Sequence, residues 1–390
     1  MRVLLMMRQP PNSVGGAQVF AVGLAKALIE NGCAVTLAHP AATRHQEAAC
    51  GNICCSPIDI SSSKRLRESI SAVLDSSRAE VISLVGPSLR MAYWVQRANG
   101  GTPWVMTIHN LPPHECRAPW FLGRNWPYYA ARSLCYAPNA VAWALFLRYA
   151  HPAAVLADSE EVLERLSSFG CSQERLSLVP LACDLVDKKD QAARLPVAGS
   201  PFSQEAFPRI LSTAALIHHK GLHDYLKAVT RLVKDFPKLE YTILGAARDP
   251  KYAAFLRQTI SALGMERHVR IRADATQDQK TAAFCTADLY VQPSHEEGFC
   301  LAFLEAAATV PRLLGTRTGA IMSIAGDGPD AAVVPPRDVR ALEDATRRLL
   351  LWQPDPGVLL MRRDRIRSEY SWDRLACRHI HEYEKAIKRT

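Results

Sequence analysis

Short apolar segments of strand length alternate with amphipathic helical segments along this chain, and the whole alternation runs twice. Strands that alternate with helices pair in parallel, because each helix is the crossover that returns the chain to the same end of the sheet. The pattern therefore predicts an α/β protein with two doubly wound parallel-sheet (Rossmann-like) domains facing across a cleft. The predicted strands are 3–7, 34–38, 81–85, 104–108, 155–157 and 176–179 in the first series, and 210–214, 241–244, 269–271, 289–291, 312–315 and 332–334 in the second.

A polar stretch separates the two series. Residues 187–208 contain Pro196, Gly199 and two further prolines, which is typical of a linker. We therefore expect an N-terminal domain at 1–186 and a C-terminal domain at 209–370. The last residues, 371–390, have apolar side chains at helical spacing, and we predict a helix that packs back toward the N-terminal domain.

Composition narrows the class of protein. The chain has 390 residues, of which 48% are hydrophobic, enough for substantial cores. It has no apolar run long enough to predict a membrane-spanning helix. Eleven cysteines without a Cys-x-x-Cys pair favour a reducing cytoplasm, and Cys33, Cys285 and Cys377 are expected to be small core residues.

The charge is positive but dispersed. A formal net charge of +9 fits nucleic acid, an anionic membrane surface or anionic substrates. The chain has no block of five or more Lys/Arg residues and no sequence signature of a nucleic-acid-binding module. We therefore expect no nucleic-acid partner, and favour an anionic ligand or surface.

Polar or glycine-rich loops follow several predicted strands. Gly15 and Gly16 follow the first strand, His109 follows the fourth, and Lys220 precedes a helix in the second series. Doubly wound sheets bind ligands at the carboxyl ends of their strands, where these loops meet. Each residue also has a simpler interpretation: an ordinary turn for the glycines, a core histidine for His109 and a solvated surface lysine for Lys220.

Two carboxylates separated by seven residues mark the most informative loop. Glu297 lies between a buried strand and an Ala/Leu-rich helix, and Glu305 lies inside that helix. The helix N-terminus between them suits a phosphate, while the two carboxylates suit hydroxyl groups. A nucleotide-sugar has polyols on both sides of a diphosphate and fits this arrangement. The alternative is a surface helix with incidental acidic residues.

Taken in order along the chain, these loops resemble those of retaining glycosyltransferases of family 4, which have the two-domain GT-B fold. The Glu297–Glu305 pair resembles the family's Glu-x7-Glu motif, Gly15-Gly16 its N-terminal diglycine loop, and Lys220-Gly221 its donor-phosphate lysine with the following glycine. Further similarities lie at Ser159-Glu160, Val179-Pro180 with Asp184, Trp372 and Tyr383.

The resemblance implies roles for these residues. Lys220 is expected to stabilise the diphosphate leaving group, Glu297 to bind donor-sugar hydroxyls, and His109 to touch the sugar near the reacting carbon; these are the expected catalytic residues. The expected donor-binding residues are Gly15, Gly16, Lys220, Gly298, Phe299, Cys300, Leu301 and Glu305, with Glu305 on the ribose hydroxyls. The base is expected along 272–274.

The implied activity is transfer of a sugar from a nucleotide-sugar donor, bound by the C-terminal domain, to a saccharide or lipid-linked acceptor on the N-terminal domain. The anomeric configuration is expected to be retained by a same-face displacement, in which the leaving phosphate oxygen takes the acceptor proton. Neither a cofactor nor a metal is expected, and the chain has no Asp-x-Asp metal signature. The expected pathways are cell-surface polysaccharide, lipopolysaccharide or glycolipid synthesis.

Three positions depart from the family pattern. Ala215 stands where the family usually has an Arg, Cys300 stands for a Gly, and residues 318–322 lack a Glu. Arg209, His218 and His219 are candidates to replace the missing positive charge.

The missing Arg leaves open a catalytically degenerate nucleotide-sugar-binding protein of a glycan assembly complex. A GT-B nucleotide-sugar epimerase also stays open. An NAD-linked enzyme is disfavoured, because no Gly-x-Gly-x-x-Gly follows the first strand.

Residues 120–149 are rich in aromatic and basic side chains, including three of the chain's tryptophans (Trp120, Trp126 and Trp143). Such a helical stretch can lie in the membrane interface and present an anchored acceptor. We therefore expect a cytoplasmic protein with a possible peripheral site at an anionic membrane surface, the inner face of the cell membrane. The alternative is a helix that packs its aromatic side chains into the first core.

Overall fold

A computed structural model describes residues 1–10, 16–40, 53–110, 136–184, 202, 205, 207–273 and 275–389, without side-chain detail for 136 and 137. These residues form two compact units. The first takes in the described residues up to Cys183 together with those from Tyr370 onward, and the second takes in those of Asp184–Glu369. The predicted linker at 187–208 lies almost wholly outside the described residues.

The first unit contains a parallel sheet. Its strands are β1 (Arg2–Met7), β2 (Ala34–Pro40), β3 (Cys54–Ile58), β4 (Val81–Val85), β5 (Trp104–Ile108), β6 (Ala154–Ala157) and β7 (Leu176–Leu178). They form a 7-stranded sheet in the order β3-β2-β1-β4-β5-β6-β7. Strands β4 and β5 are buried along their whole length, as expected for central strands covered on both faces. The strand order reverses between β1 and β4, the kind of position where such sheets bind ligands.

Strand β3 is not predicted by the sequence pattern. It contains Pro57 and Ser56 and is mostly accessible to solvent, so its sequence does not alternate or form an apolar run. Among the described residues it lies at the edge of the sheet and pairs with β2, in register from Thr36 opposite Cys54. Proline is tolerated on such an edge strand, because its missing N–H removes no central hydrogen bond. His109 directly follows the strand predicted at 104–108, as expected, and the unpredicted β3 makes that strand the fifth of the chain instead of the fourth.

Helices connect these strands. They are α1 (Gly16–Glu30), α2 (Ser63–Ser77), α3 (Leu89–Ala98), α4 (Tyr136–Tyr149) and α5 (Glu160–Ser168). Three of them begin after a serine whose hydroxyl accepts a hydrogen bond from a backbone N–H of the first turn: Ser62, Ser88 and Ser159. Such caps satisfy donors that the helix itself leaves unpaired, and so they fix where each helix begins.

The second unit repeats this architecture. Its strands are β8 (Arg209–Thr213), β9 (Glu240–Leu244), β10 (Val269–Arg272), β11 (Leu289–Gln292), β12 (Leu313–Thr316) and β13 (Ala331–Val334). They form a 6-stranded parallel sheet in the order β10-β9-β8-β11-β12-β13. The helices are α6 (Leu222–Leu232), α7 (Pro250–Ala262), α8 (Gln277–Thr286), α9 (Leu301–Ala307), α10 (Ile321–Ala325), α11 (Val339–Leu351) and α12 (Pro356–Glu369).

Tyrosines fill much of the second core. Tyr225 and Tyr241 are fully buried, and their rings meet edge to face with centroids 5.0 Å apart. Each hydroxyl is satisfied, Tyr225 by Thr346 at 3.1 Å and Tyr241 by Ser212 at 2.9 Å. Because both the apolar rings and the polar hydroxyls are accommodated, this core holds β8 and β9 rigidly beneath the loops that follow them.

The last helix, α13 (Trp372–Lys388), belongs to the first unit. It packs on α1, where a β-carbon on Gly23 would lie 2.2 Å from the ring of Trp372. The Tyr383 hydroxyl donates a hydrogen bond to Ser83 Oγ on β4 at 2.8 Å. Trp372 and Tyr383, which the resemblance singled out, therefore pack the final helix against α1 and β4 of the first unit.

Two expectations from composition can be compared with this fold. Among the cysteines, Cys33 is buried as predicted, but Cys285 is only partly buried and Cys377 is exposed, so the expectation of a core position is wrong for Cys377. Cys377 occupies an outward position of α13, because the apolar spacing of that helix runs through Leu375 and Tyr383 instead. No helix among the described residues is long and apolar enough to cross a membrane.

Candidate active site

Lys220 and Glu297 form one ion pair in the second unit. Lys220 ends a short 3-10 turn (His218–Lys220) after β8, and Glu297 lies in the loop between β11 and α9. Strands β8 and β11 are neighbours in the sheet, so their loops emerge side by side. The Lys220 Nζ donates a hydrogen bond to Glu297 Oε2 at 2.7 Å, across 77 positions of sequence.

The two loops also meet through their backbones. The His295 N–H donates a hydrogen bond to the carbonyl oxygen of His219 at 2.8 Å. Gly221 has φ +63°, and a β-carbon there would lie 1.9 Å from the carbonyl oxygen of Pro293. Only glycine permits both this left-handed backbone and this close approach. Gly221 therefore allows the lysine loop to lie directly against the Glu297 loop.

The Glu297 carboxylate is fixed by three side chains. Besides Lys220, its other oxygen accepts hydrogen bonds from Ser294 Oγ at 2.6 Å and Gln292 Nε2 at 3.0 Å. The side chain is buried, with 5% exposure for the residue. Burial alone would raise the pKa of Glu297, but the charge of Lys220 and these hydrogen bonds bring it below the ordinary value. Glu297 is therefore an anion held in one orientation.

Lys220 is a cation in a partly buried position, with 19% of its side chain exposed. Burial alone would lower its pKa, but the carboxylate of Glu297 more than offsets this and raises it. The neighbouring His219 differs, because burial and the charge of Lys220 lower its pKa to about 3. At neutral pH the lysine therefore carries positive charge in this loop, while His219 is neutral.

The structure tests the candidates for the missing Arg at Ala215. His219 is neutral at physiological pH and so supplies no charge. Arg209 is the first residue of β8, where its backbone N–H bonds Asp288 at 2.8 Å, whereas Ala215 follows the other end of that strand. Neither residue supplies a positive charge beside Ala215 in this structure, and replacement of the missing Arg by one of the three candidates stays a prediction. His218 packs edge to face on His219, with ring centroids 5.6 Å apart.

The start of α9 is unusual. Cys300 precedes the helix with φ +81° and ψ +69°, a left-handed backbone that a residue with a β-carbon rarely adopts. Its thiol is buried, and burial raises its pKa well above the ordinary value. Phe299 beside it accepts a hydrogen bond from the Ala320 N–H at 3.2 Å, which ties this loop to the segment 318–322. Gly298 and Leu301 flank this constrained turn.

Glu305 lies on α9 and pairs with another lysine. Lys280 on α8 places its Nζ 2.7 Å from Glu305 Oε2 and 2.8 Å from Oε1. The Glu305 side chain stays 24% exposed, so it is open to a ligand on its remaining lone pairs. Arg272 ends β10, and Asp274 of the expected base site lies outside the described residues.

His109 belongs to the first unit, directly after β5. Its Nδ1 lies 3.1 Å from Asp158 Oδ2, and the Phe20 ring packs edge to face on the imidazole with centroids 4.9 Å apart. Gly16 is the first residue of α1 and is exposed, whereas Gly15 lies outside the described residues.

One group of side chains in the second unit has the spacing of metal ligands. Ligand atoms of His223, Asp224 and His295 all lie within 4.8 Å of one another. The His295 Nε2, however, lies 2.7 Å from Asp224 Oδ2, and Lys227 Nζ donates to Asp224 Oδ1 at 3.0 Å. Hydrogen bonds and a lysine thus already satisfy the carboxylate. We interpret the group as a clamp between α6 and the Glu297 loop, and the expectation that no metal is required stays a prediction.

Several partners of the site escape the sequence reasoning. Asp158, Lys280 and Asp224 each hold a predicted residue or its loop, yet nothing in helical or strand periodicity marks them. Position marks two of them: Asp158 directly follows a buried strand, and Asp224 lies one turn after Gly221. Lys280, inside α8, carries no such positional signal.

Comparison with protein families gives two matches that together span residues 14–363. Residues 14–186 match the model described as Glycosyltransferase Family 4, and residues 183–363 match that of Glycosyl transferases group 1. The chain is 28% identical to an MMP α-(1→4)-mannosyltransferase of Mycolicibacterium hassiacum over 61% of this chain and 55% of that protein. It is 30% identical to a glycogen synthase of Mycobacterium tuberculosis over 47% of this chain and 44% of that protein. The chain thus spans about half the length of these curated relatives.

Solved structures share the fold over the full chain. Sucrose-phosphate synthase from Thermosynechococcus elongatus superposes with a TM-score of 0.75 at 15% identity, covering 100% of both chains. Anabaena HepE in complex with UDP and glucose superposes with a TM-score of 0.72 at 15% identity, covering 98% of this chain and 99% of that one. With two parallel-sheet α/β units, these likenesses confirm the predicted GT-B fold.

Proposed function

This chain belongs to family 4 of the GT-B glycosyltransferases, and from that premise we propose that it transfers a sugar from a nucleotide-sugar donor to a saccharide or lipid-linked acceptor. The anomeric configuration is retained. The proposed setting is the synthesis of cell-surface polysaccharide, lipopolysaccharide or glycolipid.

The observation that carries the proposal is the Lys220–Glu297 ion pair, in which the carboxylate is buried, the ammonium is partly buried, and Nζ and Oε2 lie 2.7 Å apart. A fixed, partly desolvated ammonium is suited to the negative charge that grows on a diphosphate as the sugar bond breaks. Fixed carboxylate oxygens are suited to accept hydrogen bonds from the hydroxyls of the transferred sugar. The two groups that such a reaction needs are therefore adjacent and ionised.

Donor binding changes the partners of this pair. A diphosphate beside Lys220 competes with Glu297 for the ammonium, and sugar hydroxyls replace the lost hydrogen bonds at the carboxylate. Ser294 and Gln292 keep the other oxygen of Glu297 in place during this exchange. The pair thus fixes the ammonium and the carboxylate before the donor binds, which lowers the cost of ordering these two side chains on binding.

Glu305 is proposed to bind the ribose. A carboxylate accepts up to about four hydrogen bonds, so Lys280 leaves capacity for two ribose hydroxyls. Gly15, Gly16 and the backbone from Gly298 to Leu301 remain the proposed contacts to the phosphates and sugar. The acceptor proton is proposed to pass to the leaving phosphate oxygen, so the site needs no separate protein base.

The relatives guide the choice of donor. One structural relative, HepE, is seen with UDP and with UDP-glucose. The curated relatives are named for different acceptors and sugars, among them a mannosyltransferase and a D-inositol 3-phosphate glycosyltransferase of Corynebacterium urealyticum. We therefore place UDP-sugars first among the donors to test, followed by GDP- and ADP-sugars.

A thermal-shift screen followed by a transfer assay tests the proposal. A donor at one hundred times its Kd should raise the melting temperature by about 5–10 °C, because it binds only the folded state. Lys220→Ala and Glu297→Ala should each lower transfer by roughly 10²–10³-fold. Lys234→Ala and Glu266→Ala, at exposed positions of the same unit, are the matched controls. Unchanged transfer in both site variants would rule out this assignment.

The second candidate function is a nucleotide-sugar-binding protein that has lost catalysis, which Ala215 motivates because no Arg supplies charge there. The two functions differ in the fate of the donor. A transferase yields a glycosylated acceptor or, without acceptor, slow release of free sugar. A degenerate protein binds the same nucleotide-sugar and leaves it intact.

We also propose that α4 meets an anionic membrane surface. Val141, Leu145 and Tyr149 are spaced four residues apart and are exposed by 59%, 53% and 66%. This apolar stripe lies beside the exposed Arg148, which is the pattern of an interfacial helix. Residues 120–135 of the predicted segment lie outside the described residues. The buried Trp143 instead packs into the core of the first unit, as the alternative interpretation of this segment expects.

Sedimentation with vesicles tests this surface. The wild type should pellet with vesicles that contain anionic lipid at low salt, and Leu145→Ser with Arg148→Ser should pellet less. The exposed pair Leu263→Ser with Arg267→Ser in the second unit is the control. If the wild type stays in the supernatant, α4 does not bind membranes.

A further inference from the structure

His109 and Asp158 lie side by side because of strand register. Each directly follows a strand of the first sheet, and Ile108 at the end of β5 pairs with Ala157 at the end of β6. The His109 Nδ1 is 3.1 Å from Asp158 Oδ2, and the Asp158 side chain has 0% exposure. Burial raises the pKa of the Asp158 carboxyl, and the hydrogen bond from His109 opposes this rise.

The other nitrogen of His109 lacks a partner. Among the described residues, its Nε2 is buried and accepts or donates no hydrogen bond, and neither does Asp158 Oδ1. Buried polar atoms are normally paired, so an unpaired nitrogen on an otherwise fixed ring suggests a ligand. The His109 ring is fixed by Asp158 and by its edge-to-face contact with Phe20. Gly86 lies close to the ring as well, since a β-carbon on Gly86 would lie 3.4 Å from His109 Cδ2.

We propose that Asp158 is a positioning residue that holds the proton of His109 on Nδ1, so that Nε2 accepts a hydrogen bond from a sugar hydroxyl. This inference rests on the proposed function. An ionised Asp158 only accepts hydrogen bonds, so Nδ1 of His109 donates to it, and the neutral imidazole then has its lone pair on Nε2. The sugar is the donor sugar or the acceptor, and both present hydroxyls of the same chemistry.

The proposal has a consequence for selectivity. A site built to bind one hydroxyl discriminates strongly against an analogue that lacks it, because the nitrogen is then left buried and unpaired. Deoxygenation of the contacted carbon should therefore lower the rate, and the loss should depend on Asp158.

A ring-nitrogen NMR experiment tests the tautomer without any activity. In ¹⁵N-histidine-labelled protein, assigned with His109→Gln, the wild type should show the Nδ1–H tautomer of His109. Asp158→Asn should shift the ring toward the Nε2–H tautomer, because an amide can donate to Nδ1. Asp75→Asn, at an exposed position of the same unit, should leave the signals unchanged. A wild-type Nε2–H tautomer overturns the proposal whether or not the protein transfers sugar.

Steady-state kinetics of the variants provide the second test of the proposal. Asp158→Asn should lower kcat by about 10–100-fold while the KM for the nucleotide-sugar changes by less than about threefold. The loss should largely vanish with a deoxy donor if Nε2 binds the donor, or with a deoxy acceptor if it binds the acceptor. An unchanged kcat, or the same loss with every deoxy substrate, overturns the proposal. Absence of transfer by the wild type with any donor contradicts the proposed function instead, and the NMR result still decides the tautomer.

Discussion

Gly221 and Pro293 approach so closely that no side chain fits between them: a β-carbon on Gly221 would lie 1.9 Å from the Pro293 carbonyl oxygen. This backbone contact is what brings Lys220 within 2.7 Å of Glu297. The ion pair therefore depends on a residue that carries no chemistry of its own.

Gly221→Ala should destabilise the protein by about 3 kcal/mol, of which about 1 kcal/mol comes from the left-handed backbone and the rest from overlap with Pro293. Gly264→Ala is the matched control, since Gly264 has φ +65° but nothing within 4 Å of its β-carbon position. It should lose only about 1 kcal/mol. Urea unfolding measures both, and equal losses would contradict the importance of the close approach.

The stability conferred by Glu297 should depend on pH. Its pKa in the folded state is lower than the ordinary value of 4.5, so its contribution is present above about pH 4.5 and is lost as pH falls through the folded-state pKa. Glu297→Gln removes this contribution and leaves Lys220 without its anion. The melting temperatures of wild type and variant should differ most at neutral pH and converge below pH 4.5. A constant difference would contradict an ionised Glu297.

Asp224 should contribute to stability through its clamp. Burial would raise its pKa, but the hydrogen bonds from His295 and Lys227 and the neighbouring His223 lower it from 3.8 to about 2. This shift corresponds to roughly 2 kcal/mol at neutral pH, lost as pH falls from about 4 to about 2. Asp224→Asn should show that loss in urea unfolding at pH 7, while the exposed Asp364→Asn should not. A loss below about 0.5 kcal/mol at pH 7 would contradict the clamp.

Metal removal should leave transfer unchanged. If His223, Asp224 and His295 form a hydrogen-bonded clamp, treatment with EDTA followed by gel filtration should alter neither the melting temperature nor the transfer rate. Metal analysis of the purified protein by mass spectrometry is the accompanying measurement. A stoichiometric ion, lost together with stability on chelation and in His295→Ala, would instead establish a metal site.

The backbone at Cys300 should favour glycine. Cys300→Ala keeps a β-carbon at φ +81° and removes the sulfur, whereas Cys300→Gly also relieves the left-handed strain. The glycine variant should therefore be more stable than the alanine variant by about 1 kcal/mol in urea unfolding. An alanine variant of equal or greater stability would show that the turn relaxes around the side chain.

The sequence predicts the architecture well where strands are buried runs. Strands such as β1 and β4 are short runs of mostly apolar residues that are buried on both faces, so the sequence marks their positions directly. Strand β3 does not, because Pro57 and its solvent-accessible neighbours lie at an edge where neither alternation nor burial is required.

The sequence predicts which loops form the candidate site, but it does not predict the contacts between their side chains. Strand-end topology places Lys220 near Glu297, but the hydrogen bonds of Ser294 and Gln292 to that carboxylate depend on local turns that no periodicity describes. Charge is harder still to predict: His219 looks like a cation in the sequence, yet burial makes it neutral.

The order of the chain through the two units has a practical consequence. Among the described residues, the polypeptide enters the second unit at Asp184 and leaves it at Glu369, so this unit is an insertion within the first. At the insertion point the Cys183 N–H lies 3.4 Å from the Tyr370 carbonyl oxygen. The two ends of the first unit therefore lie next to each other at this point, and a chain truncated after Glu369 would lose Trp372, which packs on Gly23, and Tyr383, which donates to Ser83.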